Sequence, residues 1–278
     1  YVWVPVGDII KSDGTKTTIT LGRYTFADGI NDKASDGTTV LKKGTPILKQ
    51  SAENYTQEVL INSYYKELAT YRQGGASGDD NSLNTTALNL KKFVDSVKAN
   101  GGYYIARYEA SYGTDGKANS KTSNTFTDAD TAPATRAEGM LWNYITQIDA
   151  AKACHNMYED SYTNVTTDLI NSYAWDTAIV YIEEFSGDIT YSYQSSQNTK
   201  LTNTGVNNDE KCKINDMASN DLEWTTEYST RINNSYAYPC TSRGGYYDNS
   251  DIYTSYRNNG NATDSNEGYT FRSILYIK

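Results

Sequence analysis

An α+β fold built from small antiparallel sheets, flanking helices and long loops is what this chain predicts, on three observations. Both ends read as strand: Tyr1-Val2-Trp3-Val4-Pro5-Val6 is rich in β-formers, and Phe271-Arg272-Ser273-Ile274-Leu275-Tyr276-Ile277 alternates like a half-buried strand. Between them, apolar residues recur at helical spacing in several segments. The connections are long runs of Gly, Asp, Ser, Thr and Asn, and the aromatic content is carried by Tyr (26) rather than Phe (5), as in loop-rich extracellular proteins.

In chain order, Thr17-Thr18-Ile19-Thr20-Leu21-Gly22-Arg23-Tyr24 predicts a second strand after the Asp13-Gly14 turn, and residues 27 to 52 read as surface loop. Val59, Leu60, Tyr64, Leu68 and Tyr71 predict a helix between Gln57 and Tyr71. Leu88, Leu90, Phe93, Val94 and Val97 predict another after the 74–78 Gly-rich breaker, closed by Asn100-Gly101-Gly102. The 103–110 segment has strand character, 113–131 reads as exposed loop, and 147–158 as a short helix. Thr166-Thr167-Asp168 offers N-cap chemistry for a helix with Leu169, Ile170, Tyr173, Ala174, Ala178 and Ile182 on its apolar face. Residues 187–210 return to polar loop. No repeat and no clean linker appear, so the expectation is one domain with a helical insertion at about 55–100.

The net charge of −9 disfavours a nucleic-acid partner, since no basic patch offsets it. The longest apolar runs fall far short of the roughly 20 residues that span a bilayer. The chain opens at Tyr1 without a leader pattern, which reads as a mature or trimmed product. Cys154, Cys212 and Cys240 permit one bridge among three pairs, and spacing does not choose.

Function is most legible from Arg243 to Arg272. This stretch is composed almost wholly of Tyr, Asn, Ser, Asp, Thr and Gly, the residues that antibody loops use for adaptable contact. Tyr brings large rigid area with few torsions to freeze, and the small polar residues bring hydrogen bonds.

Four segments in order carry a resemblance to a known family. Gly101-Gly102-Tyr103-Tyr104-Ile105-Ala106-Arg107-Tyr108-Glu109-Ala110-Ser111 is similar to an early strand reading F-Y-I-G-R-Y-E-V-T. Ile148 to Cys154 resembles that family's first helix, and Leu169 to Ala178 the L-P-T-E-A-E-W-E-Y-A register, with Trp175 on the family tryptophan. Asn215 to Thr225 is similar to D-M-x-G-N-V-W-E-W-T. Ser242-Arg243-Gly244-Gly245, Ser255-Tyr256-Arg257 and Thr270-Phe271-Arg272 resemble R-G-G-S, R-x-R and G-F-R. Together they resemble the formylglycine-generating-enzyme (sulfatase-modifying factor) type of C-type lectin fold over residues 100–278 and the 2–5 opening. Ser219 and Thr270 depart from it, each standing where the family has Gly.

The resemblance does not carry the family's chemistry. Its oxidases bind copper through cysteines after R-G-G, and residues 246–257 contain none. Its iron-dependent relatives need several histidines, and His155 is the sole one here. Cys154 and His155, adjacent on a helix, point in different directions and do not make a dyad. The expectation is a non-enzymatic protein without a cofactor. Family members often bind calcium near the G-N-V-W-E-W segment, where Asn215, Asp216, Asn220, Asp221 and Glu223 are hard oxygen donors here. The competing reading is a polar turn in which Glu223 forms an internal salt bridge.

In style the chain resembles the variable proteins of diversity-generating retroelements, whose final segments are diversified at adenines. Asn codons mutated there yield Asn, Tyr, Ser, Asp, Thr, Ile and Gly. The resemblance implies a ligand-binding surface made of Tyr246, Tyr247, Asp248, Asn249, Ser250, Asp251, Ile252, Tyr253, Tyr256, Asn258 and Asn259. Its partner would be a protein or glycan ligand on another cell or virion, which places the chain extracellularly, on a cell surface or a virion. A fixed-specificity adhesin or glycan-binding module has the same appearance in one sequence.

Overall fold

The computed structural model describes residues 1–67, 90–127, 129–158, 162–234 and 236–278. Seventeen short strands are described. They are β1 (Val2–Pro5), β2 (Gly7–Ile10), β3 (Lys16–Ile19), β4 (Gly22–Phe26), β5 (Pro46–Ser51), β6 (Tyr65–Lys66), β7 (Gly102–Ile105), β8 (Ser111–Tyr112) and β9 (Ala118–Asn119). After these come β10 (Val165–Leu169), β11 (Leu222–Ser229), β12 (Ile232–Asn233), β13 (Tyr236–Ala237), β14 (Cys240–Arg243), β15 (Arg257–Gly260), β16 (Tyr269–Phe271) and β17 (Ser273–Ile277). The described α-helices are α1 (Leu90–Asn100), α2 (Gln147–His155) and α3 (Ser172–Ser186). The class is α+β.

Two sheets organise the chain. One runs β1-β7-β17-β10, antiparallel throughout, so the first and last strands share a sheet. The other runs β15-β14-β11-β16, with β6 also on β11. Its β11–β16 pairing is parallel and the rest antiparallel. Four two-stranded ribbons complete the pairing described.

The main core lies where α3 and α1 pack on the first sheet. Tyr173, Ala174, Trp175, Ala178, Ile179 and Ile182 of α3 are fully buried with Phe93, Val94, Val97, Val4, Tyr103, Ile105 and Ile274. Phe93 meets Tyr103 and Tyr276 edge-on, with ring centroids 5.2 and 5.6 Å apart. Each such side chain contributes about 1.5–3 kcal/mol by leaving water. A second cluster around Leu169, Trp224 and Phe271 packs under α2.

Several expectations need correction. Thr166, Thr167 and Asp168 lie in β10, not at a helix start, because β-branched residues there pair with β17. The cap of α3 is Asn171, whose side-chain oxygen accepts from the Ala174 N–H at 2.9 Å. The expected 17–24 strand is two strands separated at Thr20 and Leu21, and the expected 27–52 loop contains β5, which pairs with β4. No helix forms over 57–67, which turns through Asn62 and Ser63 at positive φ into β6. Leu68, Tyr71, the 74–78 breaker and Leu88 lie outside the described residues. Helix α1, within the expected 55–100 insertion, packs in the main core.

Candidate functional site

The site is built on the β14–β15 hairpin. Arg243 pairs with Arg257 and Ser242 with Asn258 across it, and residues 244–256 form the connection. Two like charges opposed on a ladder are destabilising unless neutralised. Here buried carboxylates do this. Asp176 of α3 accepts from Arg243 and Arg257, each at 2.6 Å, and Glu227 of β11 accepts from Arg23 at 2.7 Å and from Arg257 at 3.0 Å. Burial alone would raise the Glu227 carboxyl, but Arg257, Arg23 and Arg243 together hold it at about 2. Both ends of the connection are thereby fastened beneath the surface.

The backbone of the connection is also held near both ends, while Asn249 and Ile252 N–H groups bond within it, to Tyr246 and Asn249 carbonyls. Gly245 N–H donates to Met217 O at 3.1 Å and Tyr247 N–H to Asn220 O at 2.8 Å. Thr254 and Ser255 N–H donate to Gln194 and Ser192 carbonyls at 2.9 and 3.0 Å, while Trp175 Nε1–H reaches Thr254 O at 3.0 Å. Gly245 has no room for a side chain, since a Cβ would stand 2.0 Å from Ala218 O. Near both ends the backbone is fixed by other segments of the chain.

The side chains are treated differently. Asp248, Asn249, Ser250 and Asp251 are exposed, and Tyr246, Tyr247, Ile252, Tyr253, Tyr256, Asn258 and Asn259 are half-buried. The tyrosines form two pairs. Tyr246 and Tyr247 have ring centroids 4.5 Å apart, and Tyr246 lies over Gly268. Tyr253 packs on Tyr193 at 4.8 Å and meets Tyr256 edge-on at 5.8 Å. Asn259 is engaged internally: its Nδ2 donates to the Tyr65 hydroxyl at 3.0 Å and its Oδ1 accepts from Arg231 at 3.4 Å. Asn249 Oδ1 accepts from Asp251 N–H at 2.9 Å, which shapes the turn. Tyr193 is the partner that sequence reasoning missed, because it comes from a remote polar segment.

Of the five donors considered for calcium, Asn215, Asp216, Asn220 and Glu223 are engaged with protein. Glu223 is held by Arg272 at 2.6 and 2.9 Å, the expected internal salt bridge. Asp216 accepts from Gly205 N–H at 2.6 Å and Asn207 at 3.2 Å, and Asn220 Oδ1 from Thr202 N–H at 2.9 Å. The Asn215 carbonyl takes a hydrogen bond from Arg272 at 2.8 Å. Asp221 alone of the five has both carboxylate oxygens buried without a hydrogen-bond partner, and burial drives its pKa well up. One uncommitted carboxyl does not make a cage, and among the described residues no group of three or more His, Cys, Asp or Glu is placed to hold a metal ion. The residues do not fit calcium.

His155 Nε2 lies 2.6 Å from Asp168 Oδ1, and Cys154 is buried with its thiol pushed well up by desolvation. A thiol in that state is a poor nucleophile. Among the described residues no helix is long and apolar enough to cross a membrane.

No protein-family profile and no curated protein matches the chain. Among solved structures the chain is similar to one titled "Crystal Structure of CarF". The two are 13% identical, with 77% of this chain and 98% of that one covered, at a TM-score of 0.48. At that level the likeness assigns nothing to any residue here.

Proposed function

We propose that this chain is a non-enzymatic binding protein with a C-type lectin fold of the formylglycine-generating-enzyme type, presenting residues 246–258 to a partner outside the cell. The observation that carries the reading is the division of labour in the connection. Its backbone is hydrogen-bonded to Met217, Asn220, Gln194 and Ser192, while Asp248–Asp251 face solvent. Side chains at such positions change without altering the fold.

The motifs behind the family resemblance support the same reading in a structural sense. Trp175, Trp224, Arg243 and Arg272 are wholly buried, and Arg243 and Arg272 lie in ion pairs. They build the platform and leave the surface open. The tyrosine pairs are the anchors, and Asp248, Asn249, Ser250, Asp251 and Asn258 surround them with polar groups.

This composition on this platform favours the variable protein of a diversity-generating retroelement. The test is to sequence the encoding locus and the 3′ end of the gene across related isolates. A reverse transcriptase, a near-identical template repeat and adenine-directed variation confined to the codons for 246–259 are expected. An invariant segment without a reverse transcriptase overturns the diversified reading in favour of a fixed-specificity adhesin.

A further inference from the structure

Beside Tyr253 a cleft of about 410 Å3 opens, lined by Thr25 and Phe26 of β4, Asp28, Asp32, Lys49 and the 60–62 turn on one side, and by Tyr193, Tyr253, Ser255 and Arg257 on the other. Its volume falls in the roughly 300–1,000 Å3 range of small-ligand sites, but its walls are mainly polar, unlike the apolar lining that suits most organic ligands. Strands β4 and β5 and the turn at Asn62 all come from the first quarter of the chain. We propose that this cleft binds one sugar ring of a neutral glycan. The proposal rests on reading Tyr253 as a contact residue, and it adds a subsite far in sequence from the C-terminal segment.

Charge gives an anion nothing to bind: Arg257 is neutralised by Asp176 and Glu227, and Lys49 faces both Asp32 and Asp28, whose carboxylate is held ionised by the Ile30 and Asn31 N–H groups and the Asn31 amide. Hydrogen-bonding capacity, in contrast, is abundant. Among the described residues, no side chain or backbone group engages the hydroxyls of Thr25, Ser255 and Tyr253 or the Asn62 amide, and Asp32 keeps Oδ1 open while its Oδ2 accepts from Asp28 N–H. Hydroxyls, an amide and a carboxylate supply both donors and acceptors. Sugar hydroxyls need both. The Tyr193 and Tyr253 rings pack on each other, 4.8 Å apart and inclined by 32°, with the Lys43 ammonium 4.7 Å over Tyr193, and both residues line one side of the cleft.

The test uses the full chain and four probes, the methyl pyranosides of glucose, galactose, mannose and N-acetylglucosamine, titrated by calorimetry and saturation-transfer NMR. At least one saturates with a Kd on the order of 1 mM, and Asn62→Gly, which keeps the positive φ, and Ser255→Ala each weaken it by about three- to tenfold. Lys16→Ala, an exposed change outside the cleft lining, leaves it unchanged. Three results overturn the proposal: none of the four saturates, Nα-acetyl-arginine amide binds in their place, or binding survives both cleft variants. Any of these, with variation still confined to the codons for 246–259, removes the sugar subsite alone and leaves the exposed segment's role standing.

Discussion

Arg243 Nη2 donates to Asp176 Oδ1 at 2.6 Å with both side chains fully buried, which fastens the strand leading into the exposed segment to the central helix. Removing one partner of such a pair leaves a charge buried without compensation, at about 3–5 kcal/mol. Asp176 also serves Arg257, so Asp176→Ala strips both hairpin strands at once. Urea unfolding of this variant is expected to show a loss at or above that range. A loss below about 1 kcal/mol contradicts the anchoring role.

Gly245→Ala tests the close approach of the connection to the platform. A methyl group there meets the Ala218 carbonyl, so the backbone must move. Overpacking costs about 1–3 kcal/mol, and the near-UV signal of the nearby tyrosines is expected to change with it. An unaltered thermal midpoint means that the segment is not seated as described.

The exposed residues behave in the opposite way. Asp248→Ala, Asn249→Ala, Ser250→Ala and Asp251→Ala are each expected to change stability by less than about 0.5 kcal/mol, apart from a small extra loss at Asn249 through its turn hydrogen bond. Thermal denaturation of the four single variants checks this. Tyr253→Ala, which loses ring contacts with Tyr193 and Tyr256, is expected to cost about 1–3 kcal/mol.

Stability depends on pH through buried carboxyls of opposite tendency. Burial raises Glu67 to about 7, although it accepts from Ser172 N–H and the Thr226 hydroxyl. A folded pKa above the unfolded value gives stability that is full below about pH 4.5 and lost as pH rises through 7. Glu227, held at about 2, acts in reverse: its contribution is present above pH 4.5 and lost as pH falls towards 2. Maximum stability is therefore expected near pH 5. Glu67→Gln is expected to lessen the decline between pH 5 and 7 in urea titrations without abolishing it, since Glu183 and Asp216 are also raised to about 7, and a decline as steep as the parent's contradicts the assignment.

Much of the architecture was legible because local pattern and burial agree. The closing strand and α1 follow from apolar spacing that the core rewards. Over 57–67 the expected helix misled because Val59, Leu60 and Tyr64 have helical spacing but no core beneath them to bury that face; Leu60 and Tyr64 are half-exposed beside and on the turn into β6. At Thr166–Asp168, cap chemistry competed with β-propensity, and pairing to β17 decided it. The tyrosine-rich segment stood out by composition. Its anchors on Met217, Asn220, Gln194 and Ser192 did not, since backbone carbonyls leave no mark in side-chain sequence. Thr25, Asp32, Asn62 and Tyr193 were invisible for a related reason: the fold alone gathers them.

The central claim is that the platform, not the segment's own exposed side chains, holds residues 244–256 in place. Amide hydrogen exchange at Gly245, Tyr247, Thr254 and Ser255 measures this directly, in the parent and in a variant with residues 248–252 all replaced by Ala. Slow exchange at all four amides in both proteins is the predicted result. Exchange at the rate of an unstructured peptide, in the parent or on side-chain replacement, contradicts the account.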